Sequence, residues 1–200
     1  MHKVAGAVYP DDVLQGIAHE LLRLHTFRES DIASALDPDV SIEVWNKSDH
    51  FMLYLIEYAI RANPRLHPSS RLRLTQMLVE EWAASRKPSL PKDSPVGIFA
   101  RAMLLVLGTG FGVKLEKNIY SRSKAMYDTC LYSVERTSHL KEFTDTEVLA
   151  FAFFHHVRDG KTSKGQQIRF GGDRSEMDTL CDLVGKCFAD AAQRIQNRAY

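Results

Sequence analysis

The sequence predicts an all-α protein, a single irregular bundle of about seven helices with at most one small extended or hairpin element. Three observations carry that expectation. Apolar residues recur every three or four positions over long stretches: Val13, Ile17, Leu21 and Leu24, then Leu115, Ile119, Met126, Cys130 and Val134, then Leu180, Val184, Phe188, Ala191 and Ile195. That spacing lays them along one stripe of an α-helix. Capping residues and prolines punctuate the chain between these stretches. Finally, residues 51–60 are apolar on nearly every side except at Glu57, and a helix greasy all round belongs at the centre of a bundle.

Taken in order, Asp11 or Asp12 caps a first helix that fades near Phe27, and Ser30-Asp31 opens a short helical piece ending at Asp37-Pro38. Val40-Ser41-Ile42-Glu43-Val44 alternates with period two and reads as extended. Ser48 and Asp49 start the greasy helix, which stops at Asn63-Pro64 because the residue before proline resists the α conformation. Pro68-Ser69-Ser70 begins a helix carrying Leu74, Met77, Leu78 and Trp82. Residues 86–94, rich in charge and proline, are the best linker in what otherwise reads as one domain over residues 1–200. Ser94-Pro95 starts a helix that runs to Leu107, with Gly108 as its left-handed cap. The helix over residues 115–134 follows. Thr144 and Glu147 have capping-box spacing. A polar, glycine-rich loop over 159–173 precedes the last helix, which opens near Ser175.

Composition excludes more than it assigns. The chain has 200 residues, 44% hydrophobic and 26% charged, with a net charge of +1. That balance is ordinary for a globular domain and sets up no global field toward nucleic acid or an anionic membrane. Three cysteines, Cys130, Cys181 and Cys187, make an odd count inside or beside helical stripes, so buried thiols are expected and not a disulfide framework. The N-terminus lacks a secretory apolar run, and the most apolar segment, residues 96–113, is broken by Arg101 and three glycines. A soluble, cytoplasmic protein with no membrane association is expected.

The catalytic motifs do not close. Residues 104–113 look like a strand entering a dinucleotide-binding turn, with Asp128 as a ribose ligand, but Val113 stands where the third glycine belongs. His155-His156-Val157-Arg158-Asp159-Gly160 resembles the HHxxxDG motif of condensation-type acyltransferases with one residue too few before the aspartate. Those enzymes are much longer chains with mixed sheets, so the assignment is not carried over. Arg61 and His67 have a spacing similar to the Arg-x4–6-His motif of the HEPN-type helical ribonucleases, which places the pair at a helix C-terminus; Pro64 interrupts it here. His19, Glu20 and His25 do not make HExxH, and Cys181 and Cys187 are six apart, so no metal and no cofactor is expected.

Three basic stretches remain. Residues 61–73 hold Arg61, Arg65, Arg71 and Arg73 with His67 and no acid. Residues 158–174 hold Arg158, Lys161, Lys164, Arg169 and Arg174 against Asp159 and Asp173, five minus two or a net +3. Residues 114–124 add Lys114, Lys117, Arg122 and Lys124 against Glu116. Such sets bind phosphate backbones, and Tyr120 or Phe170 would stack on bases. The leading expectation is a non-catalytic regulatory or adaptor protein that binds a macromolecular partner, with a homodimer preferred. A nucleic-acid-backbone-binding subunit, through Arg61, Arg65, Arg71, Arg73, Lys161, Lys164, Arg169 and Arg174, is the alternative. A small hydrolase or nuclease using His155, His156 or His67 comes third.

Overall fold

The computed structural model describes residues 6–35, 42–86, 98–99, 102–103, 106, 108–136, 143–158 and 174–198. Six helices are delimited: α1 (Asp11–Ser34), α2 (Ile42–Ala62), α3 (Pro68–Ser85), α4 (Thr109–Arg136), α5 (Asp145–Arg158) and α6 (Arg174–Arg198). The described residues at 98, 99, 102, 103 and 106 are also helical, within the span expected of a seventh. The chain is all-helical among the described residues, and no described helix is long and apolar enough to cross a membrane.

The greasy segment takes the central place its composition demands. Phe51, Met52, Leu53, Tyr54, Leu55 and Ile56 are all fully buried, and α2 packs on every other helix. Around it, α1 packs on α3, α3 on α4, α4 on α5, α5 on α6, and α6 back on α1. Among the described residues, the six delimited helices form a closed ring of five about the central α2. Aromatic rings fill its middle: Phe51 stacks on Phe153 with centroids 4.2 Å apart, and Tyr127 tilts against Phe51 at 5.2 Å and Tyr54 at 5.0 Å.

Several boundaries differ from the sequence expectation, each for a physical reason. The first helix does not fade at Phe27; α1 continues to Ser34 because its inward stripe runs on through Arg28 to Ile32. Arg28 reads as a surface residue, yet its guanidinium is held between Asp31 at 3.0 Å and Asp190 of α6 at 2.9 Å. Ile42, Glu43 and Val44 are helical, not extended, so α2 starts six residues before Ser48. Ser48 is no cap; its hydroxyl donates back to the Val44 carbonyl at 2.9 Å. The extended element lies elsewhere, a single parallel bridge in which the Ala7 amide donates to the Arg65 carbonyl at 2.8 Å and the His67 amide to the Ala7 carbonyl at 3.0 Å.

Other local signals hold. Gly108 has φ +67°, the left-handed geometry expected of it, and separates the helical residue Val106 from α4. Gly110 and Gly112 then lie inside α4, so no dinucleotide turn forms there. Thr144 and Glu147 make the reciprocal capping box, with the Glu147 amide 3.3 Å from Thr144 Oγ1 and the Thr144 amide 2.7 Å from Glu147 Oε2. Cys130, Cys181 and Cys187 are free thiols; Cys187 is buried and the other two half-buried. The expected linker over 86–94 and loop over 159–173 lie outside the described residues, apart from Arg86.

Candidate functional site

Where α1 crosses the ends of α2 and α3, a cleft of about 1110 Å³ opens. Its floor is built from His25 and Glu29 of α1, Asp49 of α2, Trp82 of α3 and Arg86, which caps α3. His25 and Glu29 are four residues apart and therefore share one helix face. Asp49 is buried and serves as the hub. Its Oδ1 accepts from Trp82 Nε1 at 3.1 Å and lies 3.1 Å from His25 Nε2, while Oδ2 is ion-paired with Arg86. His25 Nε2 also lies 3.0 Å from the Asp49 carbonyl oxygen. Both of those oxygens can only accept, so Nε2 carries the ring proton. On the other side of the ring, His25 Nδ1 is 3.5 Å from Glu29 Oε2.

The electrostatics follow from burial. Desolvation pushes the His25 imidazole down to about 4; Glu29 opposes that fall and Arg86 adds to it. Next to it, His50 is also pushed down to about 4, by burial first and by His25 second. Its ring sits edge-on to Trp82 at 5.5 Å and to Tyr120 at 6.0 Å, with Nδ1 3.2 Å from Ser123 Oγ. Burial lowers Arg86 and raises Glu116. The rim is positive: Glu20 receives Arg23 at 3.2 Å, Arg194 at 3.3 Å and Arg198 at 3.1 Å, three guanidinium groups sharing one carboxylate.

The described sequence-derived candidates fall elsewhere. Arg61 reaches Asp128 at 3.0 Å and lies over the Tyr54 ring, 5.2 Å from its centroid. Arg71 donates through Nε to the Leu66 carbonyl at 2.8 Å and through Nη1 to the Arg61 carbonyl at 3.0 Å, closing the end of α2. Arg73 grips Asp11 through two hydrogen bonds of 3.3 and 2.9 Å. Arg65 lies in the turn after Asn63, its amide donating to Asn63 Oδ1 at 2.9 Å. Arg174 begins α6; Lys161, Lys164 and Arg169 lie outside the described residues. The acids that serve residues 61–73 thus come from distant segments. Tyr120, expected as a stacking surface for bases, is buried against Trp82 instead.

His67 is the N-cap of α3: its Nδ1 accepts from the Ser69 amide at 3.3 Å. Within α5, His156 meets Tyr127 edge-on at 6.1 Å and its carbonyl accepts from Lys47 Nζ at 3.0 Å; His155 meets Phe154 edge-on at 5.9 Å. Burial pushes the Cys187 thiol up to about 12 and Cys181 up to about 11, far from thiolate chemistry at neutral pH. The floor residues were missed by motif spacing because Asp49 belongs to a different helix. The readable part of the signal was His25 and Glu29 at i, i+4. No protein-family model matches the chain, and comparisons with curated proteins and with solved structures also return no match.

Proposed function

We propose that the chain is a non-catalytic regulatory or adaptor protein that works by binding a macromolecular partner through the exposed apolar side chains of Ile98, Phe99 and Val106. One observation carries the reading. Ile98, Phe99 and Val106 are helical yet 58%, 65% and 78% exposed. On the helix expected over this segment, positions 98, 99 and 106 lie within about 100° of one another, so these three exposed side chains share one side. Large apolar side chains grouped in water favour docking into an apolar groove. The nucleic-acid reading ranks second, because Arg61, Arg71 and Arg73 already have internal partners. A second copy of the chain is the preferred occupant if the partner is not a different protein, and free thiols are compatible with the cytoplasm.

A photo-crosslinking residue at Ala102 tests this in the source cell and with the purified protein. The expected result is one discrete adduct, lost in Phe99→Glu and retained in the exposed control Arg23→Gln. No adduct, or an adduct indifferent to Phe99→Glu, overturns the proposal. Light scattering then separates a second copy from a different partner.

A further inference from the structure

We propose that His25, Glu29 and Asp49 form a site for one divalent transition-metal cation of zinc's chemical type at the floor of the cleft, with Arg86 as the cation's competitor for Asp49. It stands apart from the partner-binding face and does not depend on it. It runs against the expectation of no metal read from ligand spacing along the chain, because the third ligand arrives from another helix.

Three donor atoms, one from each residue, lie within 4.8 Å of one another. His25 and Asp49 are buried, Glu29 is half-buried, and all three line a cleft that supplies an entry path. The decisive feature is the contact between His25 and Glu29. Because Nε2 carries the ring proton toward the Asp49 backbone carbonyl, the other nitrogen, Nδ1, is the one that faces Glu29 Oε2 at 3.5 Å. Two acceptors that close on each other where water is scarce repel unless a cation or a proton lies between them. The separation suits one: two ligands each about 2.0–2.1 Å from a tetrahedral zinc ion stand roughly 3.4 Å apart.

The surroundings follow the pattern of a ligating histidine. Its second nitrogen donates to the Asp49 backbone carbonyl, which fixes the ring's orientation and tautomer. Trp82 Nε1 fixes the Asp49 carboxylate in the same way. Two carboxylates on the floor face a single guanidinium, so a cation adds to an electron-rich site. One imidazole and two carboxylates favour zinc or a neighbouring first-row ion over magnesium, which prefers an oxygen octahedron. Arg86 is the one group that must yield. Its side chain, 26% exposed, reaches Asp49 from the solvent side and has open cleft to swing into.

The test uses the chelator-treated full chain, titrated calorimetrically with zinc chloride and optically with cobalt(II), with magnesium as the control. One equivalent of zinc should bind, and cobalt should give the visible absorption of a four-coordinate site. Glu29→Gln, nearly isosteric, should weaken zinc binding at least tenfold while the circular dichroism stays native. Arg86→Gln should tighten it several-fold, an effect that a merely structural ion pair would not produce. His25→Gln supports the same conclusion if it folds, but Glu29→Gln and Arg86→Gln decide the matter. The proposal is overturned if the wild-type chain binds no zinc or cobalt, if Glu29→Gln leaves binding unchanged, or if Arg86→Gln weakens it. Nitrogen-15 shifts showing His25 doubly protonated in the metal-free chain at neutral pH also overturn it, because a proton would then be the bridging cation.

Discussion

Lys124 carries an energetic burden out of proportion to its half-exposed position. Glu57 is the one acid in the greasy stretch of α2, and its side chain is only 1% exposed. Its counter-ion is Lys124 Nζ of α4. The local medium is poorly solvated: burial drives the neighbouring Tyr120 hydroxyl well above its ordinary range, and Glu57 raises it further. Lys124→Met keeps the apolar stem but removes the charge, leaving a carboxylate with neither water nor cation. Breaking a buried pair in this way costs about 3–5 kcal/mol, which for a chain of this size lowers Tm by about 10 °C. The reverse deletion is milder, because Lys124 is 31% exposed and its ammonium can turn to water. Glu57→Leu should therefore cost less than about 1 kcal/mol or stabilise, and the double variant Glu57→Leu/Lys124→Met should return to within about 1 kcal/mol of wild type. Urea denaturation of the four proteins at neutral pH, followed by circular dichroism, closes the cycle. A Lys124→Met loss below about 1 kcal/mol, or equal losses for the two single variants, would refute the reasoning by showing that water reaches Glu57.

Acid should destabilise the chain before its carboxylates titrate. In the metal-free protein, His25 faces Glu29, Asp49 and Arg86, and His50 faces Ser123, Trp82 and Tyr120; both imidazoles are held down to about 4. Between about pH 6.5 and pH 4 the unfolded chain binds protons that the folded chain refuses, so the stabilising contribution is complete above pH 6.5 and is lost as the pH falls toward 4. Each histidine accounts for about 3 kcal/mol across that window, and a urea midpoint that stays constant from pH 7 to pH 5 would refute the assignment. Gly6→Ala should break the Ala7–Leu66 bridge, because a Cβ there meets the Leu66 carbonyl carbon at 2.4 Å and the His67 nitrogen at 2.6 Å. Amide exchange at Ala7 and His67 should accelerate while global stability drops by about 1 kcal/mol; unchanged protection of both amides would show the bridge accommodates the methyl group.

What could be read from the sequence was whatever is written locally. The capping box at Thr144 and Glu147, the left-handed Gly108 and the central helix all declare themselves within a few residues, and the structure has each of them. What could not be read depends on partners far along the chain. Arg28 looks like an interruption of α1 until Asp190 is placed beside it, 162 residues away. Ser48 and Asp49 look like a helix start because a polar pair precedes an apolar run. In fact both are interior, and Asp49 is polar because Trp82 and Arg86 need an acceptor there. Residues 61–73 look like an unopposed basic patch because Asp11 and Asp128 lie more than sixty residues off. Motif spacing found no site for the same reason: the floor of the cleft draws on three helices.

These distant pairs also explain how a helix that is greasy on all sides acquires ordered neighbours. Apolar burial is non-directional, so the side chains of α2 alone would accept the ring helices in many orders and rotations. The polar exceptions break that degeneracy. Near its start, Lys47 donates to the His156 carbonyl of α5, and Asp49 takes His25 of α1 and Trp82 of α3. Further along, Tyr54 donates to Asp128 of α4 at 2.6 Å, Glu57 takes Lys124 of α4, and Tyr58 reaches Asp145 at the start of α5. The remaining helix, α6, is pinned from α1 through Arg28 to Asp190 and through Glu20 to Arg194. A swapped ring order would leave several of these buried groups without partners, each at a cost of about 1–3 kcal/mol or more. The apolar stripes therefore make the bundle collapse, and the few buried polar pairs select which bundle it becomes.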